Sequence, residues 1–163
     1  MKNLTLYSAL TLIMLLLEAL PAKTQDITAL NNYKFITIIP ASANVGIPRF
    51  EKLNADIESG IRQLLNRHKI PVVNSRKDAI DKGVNNCEIL TCVYSLSYRQ
   101  GMMFNAIINY SLHFTDCNDK EVLVLSGKAS VGAAVGAKGY VKLFSRLFKP
   151  YHSYAYAYKA ATK

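Results

Sequence analysis

No apolar run in this chain of 163 residues reaches the roughly 20 residues that a membrane-spanning helix needs. The longest, Leu4 to Leu20, is broken by Glu18, and no Lys/Arg cluster follows it as a stop-transfer flank. A polytopic membrane protein is excluded and a single anchor is disfavoured. Acidic residues are scarce, 11 against 20 Lys and Arg, which leaves a net charge of +9. Cysteine occurs only at 87, 92 and 117, so none stands near the apolar run to take a lipid. No repeat of solenoid length is present. The chain is too short for a multidomain enzyme, and at 50% hydrophobic residues it is too apolar for a disordered tail.

What is present begins with an address. Lys2 followed by the Leu-rich run and then Ala22-Lys23-Thr24 is a secretory signal pattern. Cleavage is expected after Thr24, with Ala22 as the alternative, so residues 1–24 form a removable leader and 25–163 a single domain. Removing the leader takes away Lys2, Lys23 and Glu18 and leaves a charge of about +8.

Within 25–163, Tyr33 to Pro40 is a β-rich apolar run that suits a buried first strand. Phe50, Leu53, Ile57, Ile61, Leu64 and Leu65 recur at spacings of three and four, which predicts an amphipathic helix ending by about residue 68, before Pro71. Pro71-Val72-Val73 reads as a short strand and Ser75 to Asp81 as one or two helical turns. Glu88 to Arg99, Phe104 to Thr115 and Lys120 to Lys128 alternate with period two and predict a meander with one dry face. Residues 127–139, rich in Gly and Ala, are expected to be a connector. Tyr140, Val141, Leu143, Phe144, Leu147 and Phe148 then have helical spacing. Beyond Pro150, Tyr154, Tyr156 and Tyr158 align at period two, whereas Tyr151, Tyr154 and Tyr158 align as a helix, and the helix is preferred. The expected class is α+β, a two-layer α/β sandwich in the order β-α-β-(short α)-β-β-β with a C-terminal helix.

Three cysteines in an exported chain suggest one disulfide and one free thiol. Cys87 and Cys92 sit in or beside one extended strand and are too far apart to pair. Matching the dry faces of the first two meander strands allows a register that opposes Gln100 to Phe104, Cys92 to Leu112 and Cys87 to Cys117. This gives a Cys87–Cys117 bridge, with three free thiols as the alternative.

Chemistry is thinly represented. His68, His113 and His152 lie at no metal-ligand spacing, so neither metal nor cofactor is expected. Cys92 falls on the strand face opposite His113, Cys117 falls in a turn, and no Gly-x-Ser-x-Gly occurs; the chain reads as a non-enzyme. Gly127-Lys128-Ala129-Ser130 lacks the spacing of a phosphate loop. Two surfaces remain. The open sheet face, with Thr91, Ser95, Ser97, Asn105, Asn109, Ser111 and His113, is polar and nearly uncharged, which suits hydrogen bonding to protein or glycan. The C-terminal segment, 140–163 with Lys138 before it, interleaves Lys138, Lys142, Arg146 and Lys149 with Tyr140, Tyr151, Tyr154 and Tyr158. Cations among aromatics fit an anionic glycan, a membrane surface or a partner protein. A core-packing helix with a charged back explains the same pattern. Export argues against nucleic acid as the ligand.

Tyr33–Pro40, the helix ending near Leu64-Leu65, Ile70-Pro71-Val72-Val73-Asn74-Ser75-Arg76, Glu88–Tyr98 and the hairpin with Asp116-x-x-Asp119-Lys120-Glu121-Val122 together resemble the small α/β domain of the curli-assembly lipoprotein family. The peptidoglycan-synthase activator lipoproteins and the amino-terminal domain of TolB are similar in layout. The resemblance covers roughly residues 33–130. It departs in lacking a lipidation cysteine and in the segment after Gly127. It implies a non-enzymatic periplasmic or secreted domain of the bacterial envelope that works by contacting an envelope protein.

Overall fold

Alternation of apolar and polar side chains builds one sheet and dries one of its faces. The computed structural model describes residues 26–40, 50–100, 105–132 and 136–160. Its strands are β1 (Phe35–Pro40), β2 (Val72–Val73), β3 (Ile89–Gln100), β4 (Asn105–Thr115) and β5 (Glu121–Gly132). They run in the order β2-β1-β3-β4-β5; β1 is parallel to β2 and β3, and β3, β4 and β5 are antiparallel neighbours. The parallel β1–β2 pair needs a crossover, and α1 (Phe50–Arg67) supplies it. A short α2 (Arg76–Asp81) precedes β3, and α3 (Ala137–Leu147) follows β5. The α+β class read from the sequence is the class observed.

Both long helices cover the same face. Ile57, Ile61, Leu64 and Leu65 of α1 and Tyr140, Leu143, Phe144 and Leu147 of α3 join Ile36, Ile38, Leu90, Tyr94, Leu112 and Phe114 in one core. Phe144 meets Tyr94 and Tyr110 edge-on, with ring centroids 6.1 and 6.0 Å away, a favoured arrangement for aromatic quadrupoles. α1 and α3 meet at Gly60, where an added Cβ would run into both γ-methyls of Val141. A smaller cluster of Ala79, Val84 and Ile89, with Phe35 and Val73 against it, closes the far side beside α2.

The helix ends follow capping chemistry. Ile70 N–H donates to the Leu65 carbonyl at 3.1 Å and Lys69 N–H to Asn66 at 2.9 Å, with Lys69 in the left-handed region at φ 60°. This is a Schellman stop that turns the chain directly into Pro71 and β2. Gly83, at φ 81°, stops α2 the same way. Ser75 caps its start, accepting from Asp78 N–H at 3.0 Å.

Three expectations are corrected. The β3–β4 register opposes Cys92 to Phe114 and Gln100 to Ala106, two residues away from the expected pairing. A two-residue slide keeps every side chain on its own face, so alternation cannot detect it. The Cys87–Cys117 bridge therefore does not lie across paired strands. Cys87 sits in a 3-10 turn (Asn86–Glu88) and Cys117 in the hairpin turn, with Cα atoms 4.9 Å apart. The expected connector at 127–139 is instead strand as far as Gly132, and α3 begins at Ala137. At Gly127 the missing side chain is a packing requirement. Gly127 lies opposite Tyr110, and a Cβ there would stand 2.6 Å from the tyrosine Cζ and Oη. The helix expected beyond Pro150 is absent: a 3-10 turn (Lys149–Tyr151) leads into an extended segment to residue 160.

Gly127→Ala should lower the free energy of unfolding by about 1–3 kcal/mol, the usual cost of forcing extra atoms into a packed site. Urea denaturation with an unchanged m-value would show it, and wild-type stability would contradict the role given to Tyr110.

Candidate functional site

With both long helices on one side, no helix among the described residues covers the other side of β3, β4 and β5. Backbone alternation arrays Ser95, Ser111 and Ser126 in one row across these strands and Ser97, Asn109 and Lys128 in the next. These side chains, with His113 and Val124, line a shallow recess of about 550 Å³. Ser95 Oγ and Ser111 Oγ are 2.6 Å apart, and Asn109 Nδ2 donates to Ser97 Oγ at 3.3 Å. His113 Nε2 lies 3.0 Å from Ser111 Oγ, and its Nδ1 lies 3.1 Å from Glu121 Oε2.

Glu121 reaches this face because β5 is irregular at its start. Phe114 opposes Leu123, whereas Thr115 opposes Glu121, so Val122 is an extra residue and forms a β-bulge. Strict alternation would send Glu121 to the core side with Leu123 and Leu125. The bulge re-aims it toward His113. The turn before it is locked by the Asp116 carboxylate, which accepts from Asn118 N–H at 2.8 Å and Lys120 N–H at 3.0 Å, and by the neighbouring disulfide. Asp119 completes the turn in the left-handed region at φ 58°, where Asp is tolerated better than most residues.

The site residues read from the sequence divide into three groups. Asn109, Ser111 and His113 are brought together in the recess, and Asn105 begins the same strand. Lys138, Lys142, Arg146 and Lys149 are exposed along the back of α3 and just beyond it. Tyr140 is not part of a surface at all, being only 5% exposed in the core. The basic aromatic surface expected of the tail therefore separates, cations outward and rings inward. Cys92 is buried, its thiol pushed up by desolvation, which makes it a poor nucleophile. Sequence reasoning missed Glu121, because period two places it on the wrong face. Ser111 and His113 were recognisable as neighbours, being two apart on one strand.

The later tyrosines are fasteners. Tyr154 OH donates to Asn31 Oδ1 at 2.8 Å, Tyr156 OH to the Tyr33 carbonyl, and Tyr158 OH to Glu88 Oε1 at 2.8 Å. Tyr156 N–H donates to the His68 carbonyl at 3.0 Å and Lys159 N–H to the Asn31 carbonyl at 2.7 Å. His68 stacks on Phe148 at 5.0 Å and places Nδ1 3.0 Å from the Tyr154 carbonyl. Period two was thus the governing spacing of the tail, since alternate hydroxyls reach fixed acceptors while Ala155 and Ala157 face solvent. Tyr151 is half-buried against the core. A second recess, of about 450 Å³, lies where α1, α3 and this segment meet; Arg67, His68, Arg146, Lys149 and His152 line it, with no carboxylate among its lining residues.

The architecture is that of a small α+β domain; no family model matches the chain and no curated protein matches its sequence. Solved structures similar to it include the PelC dodecamer from Paraburkholderia phytofirmans, at TM-score 0.49 and 12% identity over 73% of this chain and 87% of that one. Lipoprotein GNA1162 from Neisseria meningitidis is similar at TM-score 0.43 and 11% identity over 73% of this chain and 98% of that one.

Burial, reinforced by neighbouring groups, pushes Tyr154 and Tyr156 up to about 12. Tyr158 is raised chiefly by its hydrogen bond to Glu88. An unfolded tyrosine loses its proton near the ordinary value of about 10. Above that pH the unfolded chain sheds protons that the folded chain retains, so stability should fall as pH rises from about 10 to 12. Melting temperatures across this range should show the decline. The double variant Tyr154→Phe/Tyr156→Phe should melt lower at pH 8 but with a flatter alkaline slope, and an unchanged slope would contradict the assignment.

Proposed function

We propose that the chain is an exported accessory protein of the bacterial cell envelope that works by binding another protein through the open face of β3–β5 and the outer strand β5. The observation that carries this reading is the one-sided sheet. One face is closed by both long helices, while the other offers Ser, Asn and Lys side chains around a recess. An outermost strand of 12 residues beside that recess suits recognition of an extended peptide. Export is supported by the leader pattern and by the disulfide, which persists in oxidising compartments. Among the described residues no helix is long and apolar enough to cross a membrane.

The basic recess favours a second reading, binding of an anionic glycan or an anionic membrane surface through Arg67, Arg146 and Lys149 with the cations of α3. The two readings separate in one experiment. A photo-crosslinking residue is placed at Asn109 in one protein and at Lys142 in another, and each is expressed in its native envelope at low and high salt. The first reading expects one protein adduct from position 109, insensitive to salt and abolished by Ser97→Arg. An adduct only from position 142, lost steeply with salt, would establish the second. No adduct from either position would overturn both.

A further inference from the structure

Ser111, His113 and Glu121 are linked more closely than a solvated sheet face requires. The chain of contacts has one consistent proton direction. Glu121 Oε2, 3.1 Å away, fixes the proton of His113 on Nδ1, which leaves the Nε2 lone pair to accept from Ser111 Oγ–H at 3.0 Å. Ser95 Oγ, 2.6 Å from Ser111 Oγ, can then donate to it. A carboxylate that orients an imidazole, which in turn polarises a hydroxyl, is the arrangement that activates a serine. Two further features set it apart. The carboxylate arrives only through the bulge at Val122, and bulges recur beside active sites for this reason. The hydroxyl also opens onto a recess of about 550 Å³ rather than a crowded surface.

We propose that Ser111 is a nucleophile, activated by His113 with Glu121 as its positioning residue, that takes the acyl group of an ester bound in the recess. In the first step Ser111 Oγ bonds to the carbonyl carbon as its proton passes to His113 Nε2. The bond from that carbon to the alcohol oxygen then breaks, and the departing alcohol takes the proton. In the second step water gives a proton to Nε2 and its oxygen attacks the acyl carbon. The serine leaves as the proton returns, and a carboxylic acid is released. Ser126 lies directly across from Ser111 and Lys128 one row away, on the same recess wall, where a hydroxyl and an ammonium can face the developing oxyanion. His113 and Glu121 are 40% and 56% exposed, so the site suits an ester presented on a large or surface-bound molecule.

The test uses the full mature protein and a fluorophosphonate probe, with adducts mapped by peptide mass spectrometry. The adduct is expected on Ser111 of the folded protein and is lost on denaturation. His113→Ala and His113→Gln should each slow labelling by about 100-fold or more, as expected for loss of a general base. Glu121→Gln should lower the limiting rate while leaving the half-saturating probe concentration unchanged, and Glu121→Asp should restore part of it. Ser153→Ala, an exposed serine in the turn after Pro150 and away from the recess, should label like wild type. Circular dichroism identifies variants that remain folded. No adduct on Ser111, an adduct on another residue, or equal labelling of folded His113 variants would overturn the proposal. Each of these results leaves the protein-binding reading intact.

Discussion

The seating of one ring decides which side of the sheet is closed. Phe144 stands edge-on to both Tyr94 and Tyr110, and Tyr110 can hold its place only because Gly127 across from it has no side chain. That contact fixes α3 over β4 and β5, where it packs against α1 at the narrow Gly60–Val141 approach. Once both helices occupy this side, the opposite side of β3–β5 is left to polar residues. The open face thus follows from a packing decision on the closed one. Its hydroxyls and amides stand on strands whose backbone is already committed to a ladder, a rigid platform compared with a loop.

Against that regular background the irregularity at Val122 carries the chemistry. A sheet without it would place Glu121 beneath the sheet, among Leu123 and Leu125, where an unpaired carboxylate costs heavily. With it, the carboxylate is turned to the imidazole of His113, and the hairpin that delivers it is held by the Asp116 turn and the Cys87–Cys117 bridge. Covalent and hydrogen-bonded restraints therefore meet within a few residues of the carboxylate that contacts His113.

Much of the architecture was legible in the sequence. The helix of residues 50–67 declared itself by apolar spacing and by the proline after it, and the meander by alternation. What alternation leaves open is register, because sliding β4 by two residues against β3 preserves every face. It is equally blind to a bulge, which moves one residue without disturbing the pattern on either side. The stretch from Gly127 to Gly132 looked like a linker because small residues are the usual mark of one. At Gly127 the residue is small because the Tyr110 ring lies against it. The tail misled for a related reason: four tyrosines at mixed spacing fit a helix as well as a strap, and only their acceptors on Asn31, Tyr33 and Glu88, far away in sequence, decide between the two. Of the candidate site, Ser111 and His113 could be read and Glu121 could not.

The strap has a mechanical meaning as well. Lys159 N–H meets the carbonyl of Asn31, so the two ends of the described chain come back to one pole and the fold is nearly a ring. Tension applied between those ends would load the contacts at Asn31, His68 and Glu88 one after another, as a zipper is loaded, and would leave the sheet unstressed until the zipper had opened. The same closeness of ends would let the sequence be joined there and reopened in a surface turn without rerouting a strand.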